Sequence, residues 1–179
     1  MILQRLLEDL NARRITGVLT SDIKGIAYDS RLAGNDFMFV AVRGFSVDGH
    51  RYIHEALNRG ATAIVGEAAV DKTAAQECTA GQKCTYIEVA DSREALALIA
   101  AAFYGYPSRR LSLVGITGTN GKTTTSYITK NIIEAGGKKA GLIGTIRYMT
   151  GGRTGAAVNT TPESLDLQRY LSEMVSNKM

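Results

Sequence analysis

Cysteine is scarce in this 179-residue chain: Cys78 and Cys84 are the only two. Two thiols cannot build a disulfide framework, and they lack the paired spacing of a zinc site, so free thiols in a reducing compartment are expected. Long apolar runs are missing as well. The most apolar window, Ala95 to Phe103, is far too short to span a bilayer. The opening ten residues carry Arg5, Glu8 and Asp9 and read as an amphipathic helix, not a secretory leader. A cytoplasmic protein with no membrane partner is expected. Charge of one sign is in short supply too: 21 Lys and Arg against 17 Asp and Glu leave a net +4. The basic pairs Arg13-Arg14, Arg109-Arg110 and Lys138-Lys139 are scattered, without the dense stripe and interleaved aromatics that favour nucleic acid. A small positive excess suits anionic small molecules such as nucleotides. Proline occurs only at 107 and 162, and both sites act as punctuation.

What is present is a core-forming chain, 45% hydrophobic, of a length suited to one large domain or two small ones. Segments 23–28, 37–42, 63–65 and 85–89 read as short apolar strands. Segment 48–59 reads as a helix with Tyr52, Ile53, Ala56 and Leu57 on one face and Gly60 as its stop. Segment 91–104 reads as a helix with Asp91 as N-cap and Glu94 three residues on. The stretch 67–83 reads as a surface excursion. This alternation is an α/β pattern. Tyr106-Pro107-Ser108-Arg109-Arg110 reads as a boundary, because proline disfavours helix at the residue before it. His50 and His54 stand four apart on one predicted helix, but no glutamate follows the first, so the zinc-protease pattern is absent and both read as ordinary surface or helix histidines.

Beyond the boundary the pattern restarts: a strand at 111–117, a glycine-rich loop, a helix at 122–135, a stop at Gly136-Gly137 and a strand at 140–145. That is one β-α-β unit, the opening of a parallel sheet. The loop Gly115-Ile116-Thr117-Gly118-Thr119-Asn120-Gly121-Lys122-Thr123-Thr124 is the richest motif of the chain. Its main-chain N–H groups and the helix N-terminus suit phosphate oxygens, Lys122 can reach the outer phosphates, and the Thr123 hydroxyl can ligate Mg²⁺. ATP or GTP is the expected ligand. The strict G-x-x-x-x-G-K-[ST] form fails at Ile116, five residues before Gly121. Residues 147–158 read as a hairpin or loop, and Thr161-Pro162-Glu163 as the start of a last helix, with Thr161 at the N-cap and Pro162 at N1. One β-α-β unit and one further helix cannot cover both faces of a parallel sheet, so an incomplete second domain and a fragment are expected.

The loop at 115–125 closely resembles that of the Mur ligases, ATP-dependent amide ligases that build the peptide stem of peptidoglycan; they share the departure at Ile116. Tyr28-Asp29-Ser30-Arg31, Asp36 to Ala41 and Gly44 through Gly49 resemble their N-terminal UDP-sugar domain. Phe103 to Ser108 resembles the linker into their ATPase domain, and Asn159-Thr160-Thr161-Pro162-Glu163 the segment that contacts the muramyl peptide. Together these are most similar to the branch that adds the third amino acid.

The resemblance implies a mixed α/β UDP-MurNAc-binding domain at 1–107 and the start of a parallel-sheet ATPase domain at 108–179. It implies ATP contacts at Gly118, Thr119, Asn120, Gly121, Lys122, Thr123 and Thr124, with Lys122 catalytic and Thr123 on Mg²⁺. It implies contacts to the UDP-MurNAc-peptide at Tyr28, Ser30, Phe45, Ser46, Val47, Asn159, Thr160 and Thr161. The implied reaction is activation of the D-glutamate carboxylate as an acyl phosphate, then attack by the amine of a diamino acid, meso-diaminopimelate or L-lysine. A monomer acting on small molecules, inactive when cut at 179, is the expectation. Another amide ligase of the same superfamily, or a non-catalytic nucleotide-binding module, remains the alternative.

Overall fold

The computed structural model describes residues 1–44, 47–67, 84–156 and 161–179, and the chain divides into two compact units, Met1–Phe103 and Tyr104–Met179. The first is built on a five-stranded sheet of β1 (Arg14–Thr16), β2 (Gly25–Ala27), β3 (Phe37–Val40), β4 (Ala63–Glu67) and β5 (Thr85–Val89), in the order β1-β5-β4-β3-β2. β2 to β5 run parallel, with Ile26 beside Met38, Phe39 beside Ile64 and Val65 beside Ile87. β1 closes one edge antiparallel to β5, with Ile15 opposite Ile87.

Near-continuous apolar strands such as Phe37–Val40 are what a sheet buried on both faces requires. The pleat sends alternate residues to opposite sides. Phe39, Ala41, Ile64 and Tyr86 pack with Ile53, Ala56 and Leu57 of α2 (Ile53–Asn58). The alternate set, Met38, Val40, Val65 and Ile87, is fully buried on the other side, and α3 (Ser92–Phe103) packs against β3 and β4. Asp91 caps α3 as its position suggests, its Oδ1 accepting from the Arg93 and Glu94 amides at 2.8 and 3.0 Å. The predicted helix at 48–59 is a 3₁₀ turn, Gly49–Tyr52, followed by α2, and Gly60 ends it at φ +98°. The opening amphipathic helix shrinks to one turn, α1 (Leu3–Leu6).

The second unit holds α4 (Lys122–Ala135), a three-stranded antiparallel sheet of β6 (Leu142–Ile143), β7 (Arg147–Met149) and β8 (Thr154–Ala156), and α5 (Ser164–Ser176). α4 has the predicted bounds, and Gly137 at φ +79° follows it. The hairpin docks on α5: Tyr148 stacks on Tyr170 at 4.4 Å, and the buried Thr150 hydroxyl bonds Glu173 Oε2 at 3.0 Å.

Three expectations need correction. Residues 111–117 take no strand, and Leu113 and Val114 are 58% and 66% exposed; an apolar run becomes a strand only with a partner, and among the described strands β6 pairs with β7 alone. α5 starts two residues after Pro162, so Glu163, not Thr161, stands at its N-cap. Cys84 is disulfide-bonded, not free; the chain's other cysteine, Cys78, lies outside the described residues.

Candidate functional site

The phosphate-loop motif sits at the N-terminus of α4. Gly118 and Gly121 hold φ of +148° and +78°, conformations that disfavour any residue with a Cβ. Gly115 differs: its φ is unexceptional, and a Cβ built there meets nothing within 4 Å. Among the described residues its smallness serves no contact, and it leaves the main chain open to an approaching group. The first turn of α4 has no side-chain cap and no acidic residue. Its leading N–H groups are therefore available to an anion, favoured by the helix dipole.

Lys122 folds back over this loop, its Nζ donating to the carbonyl oxygens of Gly118 and Thr119. The Thr123 hydroxyl lies 3.2 Å from that of Thr145, just beyond β6. Asn120 and Thr124 occupy exposed positions in the same loop and first turn. The donor set fits a polyphosphate: an ammonium, open main-chain N–H groups, and no carboxylate in the first helical turn. For Mg²⁺ the loop offers the Thr123 hydroxyl, and no cluster of three His, Cys, Asp or Glu able to hold a metal occurs among the described residues. That fits an ion carried mainly by nucleotide oxygens and water, the usual habit of Mg²⁺.

In the first unit the sequence motifs gather near the C-terminal ends of β2, β3 and β4. Tyr28 follows β2, and Asp29 caps the 3₁₀ turn Ser30–Leu32. Arg31 is held by Asp29 through a forked pair at 2.6 and 2.9 Å, and this hydrogen-bonded partner keeps the Asp29 carboxyl below the usual range. Ser30 is buried and donates to Glu55 Oε2 at 2.8 Å. Its single proton is thus committed within the protein, and only its lone pairs remain for a ligand. Val47 is 56% exposed on the loop after β3. Phe45, Ser46, Asn159 and Thr160 lie outside the described residues, and Thr161 is exposed.

His50 corrects the reading of an ordinary surface or helix histidine. It is buried, at 2% exposure, with both ring nitrogens engaged: Nδ1 to Asp48 Oδ1 at 2.6 Å and Nε2 from the Glu67 amide at 2.9 Å. Burial works to raise the Asp48 carboxyl, but hydrogen bonds from the His50 ring and amide, with the nearby Arg43 charge, hold it below the usual range. The signal in the sequence was Asp48-Gly49-His50, an acceptor two residues before a ring donor. Only the fold reveals that the ring points inward.

Two sequence-family models match this chain. The Mur ligase family catalytic-domain model covers residues 22–104, and the Mur ligase middle-domain model covers 116–179. The chain belongs to the Mur ligase family. Within it, the chain is 44% identical over its whole length to a UDP-N-acetylmuramoyl-L-alanyl-D-glutamate--2,6-diaminopimelate ligase of Alkaliphilus oremlandii. It is 46% identical over 86% of its length to the enzyme of that name from Geobacillus thermodenitrificans. It spans 35% and 29% of those two proteins, about a third of the curated relatives it matches. A solved structure of a ligase of the same name aligns with 99% of this chain and 34% of its own, at a TM-score of 0.64 and 20% identity, a likeness of fold. MurF from Thermotoga maritima in complex with ADP aligns with 82% of this chain and 28% of its own, at 0.50 and 26% identity.

Proposed function

We propose that this chain is the N-terminal part of a ligase that adds a diamino acid to UDP-MurNAc-L-Ala-D-Glu at the expense of ATP, and that it does not ligate by itself. The observation that carries the reading is the open phosphate loop on α4 in a chain 44% identical to a diaminopimelate ligase. In this reading Lys122 leaves the Gly118 and Thr119 carbonyls to meet the outer phosphates, and main-chain N–H groups from Gly118 to Thr124 hold the rest. Thr123 supplies one oxygen to Mg²⁺, which when bound neutralises charge on the polyphosphate. Phosphoryl transfer depends on such positioning and charge neutralisation more than on covalent help from the protein.

The first unit takes the uridine diphosphate sugar. Tyr28, Ser30 and the loop through Phe45, Ser46 and Val47 form its base and diphosphate end, with Ser30 acting as an acceptor. Asn159, Thr160 and Thr161 meet the peptide end. The domain assignment is 1–107 for the UDP-sugar and 108–179 for the beginning of the ATPase, and the protein works as a cytoplasmic monomer. No described helix is long and apolar enough to cross a membrane.

Nucleotide binding tests the reading. Titrating a fluorescent ATP analogue with Mg²⁺ into the chain should give saturable binding that Lys122→Ala weakens by about tenfold or more, the scale of losing a charged hydrogen-bond donor. Calorimetry with UDP-MurNAc-dipeptide should show binding. Two silent titrations at millimolar ligand would refute the reading, and tripeptide formation by the purified chain would refute its inactivity.

A further inference from the structure

The loop between β3 and the 3₁₀ turn at Gly49 leaves and re-enters the fold at Arg43 and Asp48, which form an isolated antiparallel bridge. The Gly44 amide donates to the Val47 carbonyl at 3.0 Å, so the two legs pair again one residue in from the bridge. Each leg is also tied outward. On the returning leg, Asp48 Oδ1 meets His50 Nδ1 at 2.6 Å. His50 Nε2 receives the Glu67 amide at 2.9 Å. A main-chain amide can only donate, so Nε2 carries the lone pair and Nδ1 the proton. On the leaving leg, the Arg43 amide donates to Ser92 Oγ at 3.2 Å. Ser92 in turn donates through Oγ and its own amide to Glu67 Oε1, at 2.8 and 3.0 Å. Both ties therefore end on one residue, Glu67, the last of β4.

This is a costly arrangement for a connection. His50 and Ser92 are 2% and 1% exposed, and buried polar groups are tolerated only when fully satisfied. They are spent on the two legs of a loop, His50 on the Asp48 carboxylate and Ser92 on the Arg43 amide, that presents Val47, 56% exposed, to solvent. A loop that merely joined two elements could take its hydrogen bonds from water. A loop whose backbone must read a ligand needs its legs fixed beforehand.

We propose that Glu67, His50 and Ser92 are positioning residues for the uridine nucleotide. Glu67 is the post, and His50 and Ser92 are the two ties that hold the legs at Asp48 and Arg43 in place for binding. None of the three touches the ligand. The inference rests on the nucleotide-site reading of the first unit.

The test measures UDP affinity by calorimetry and Tm by circular dichroism on the whole chain, for wild type, Glu67→Ala, Glu67→Gln, Ser92→Ala and the remote core variant Ile99→Val. Glu67→Ala should weaken UDP by about tenfold or more, the worth of one or two hydrogen bonds. Ser92→Ala, which removes the acceptor of the Arg43 amide directly, should weaken it at least as much. Glu67→Gln keeps an acceptor oxygen for Ser92 and should restore affinity. Ile99→Val should lower Tm and leave UDP affinity alone. Affinity that follows Tm across all variants, Ile99→Val included, would reduce the network to a structural role and overturn the proposal. So would a folded Glu67→Ala with wild-type affinity, or, should Glu67→Ala not fold, a Ser92→Ala with wild-type affinity. A wild-type chain silent to millimolar UDP sinks the nucleotide-site reading and this inference together; UDP binding that no network variant changes sinks this inference alone.

Discussion

Helices α3 and α4 carry comparable apolar stripes and meet different fates. α3 buries Ala95, Leu96, Ile99 and Ala100 almost completely. α4 buries no residue, and its Ile128 and Ile132 are 54% and 66% exposed. Both are regular helices with glycine near their ends, so local signals served each equally. What separates them is the neighbour: α3 lies on a five-stranded sheet, whereas the run at 112–117 that would underlie α4 has no strand partner among the described residues. Periodicity makes a helix amphipathic, and only a partner turns the apolar face into stability.

The contrast can be broken or sharpened by substitution, with urea unfolding followed by circular dichroism as the common measurement. Ile99→Ala should have the largest effect, a loss of about 2–5 kcal/mol from a fully buried site. Gly60→Ala comes next, at about 1–3 kcal/mol: φ is +98°, and an added Cβ falls 2.1 Å from Asn35 Oδ1. Asp29→Asn should cost less, and in a pH-dependent way. The Asp29 carboxyl is depressed by Arg31 from its ordinary value of 3.8, so its contribution is present above that pH and is lost as pH falls through the lower folded value. The gap between wild type and Asp29→Asn should therefore close on acidification below 3.8; a gap that stayed constant would mean the ion pair contributes nothing. Ile132→Ser should be the smallest, within about 0.5 kcal/mol, as for exposed positions. A loss approaching that of Ile99→Ala would show that the α4 face is covered and collapse the comparison.

The same division explains what could be read from the chain beforehand. α4 was legible to the residue because Gly121, Lys122 and Gly136-Gly137 mark its ends locally. The parallel strands of the first unit were legible from their apolar runs. The 112–117 segment carried an equally good strand signal and failed, because pairing depends on residues distant in sequence. The Thr161 cap failed for a local reason, with α5 starting beyond Pro162. The phosphate loop was visible as a motif; Gly115's lack of any packing reason was not, since that is a fact about empty space. His50 was missed because its role comes from burial against Glu67, seventeen residues away.

Lys122, folded onto the Gly118 and Thr119 carbonyls, makes the loop its own first competitor. An incoming anion must trade for hydrogen bonds the ammonium already has. A single-site ion such as chloride gains little in that exchange. A ligand with several oxygens can recruit the ammonium and the open N–H groups of α4 at once. In the proposed reading the loop would thus impose a chelate requirement, favouring polyphosphates over single-site anions.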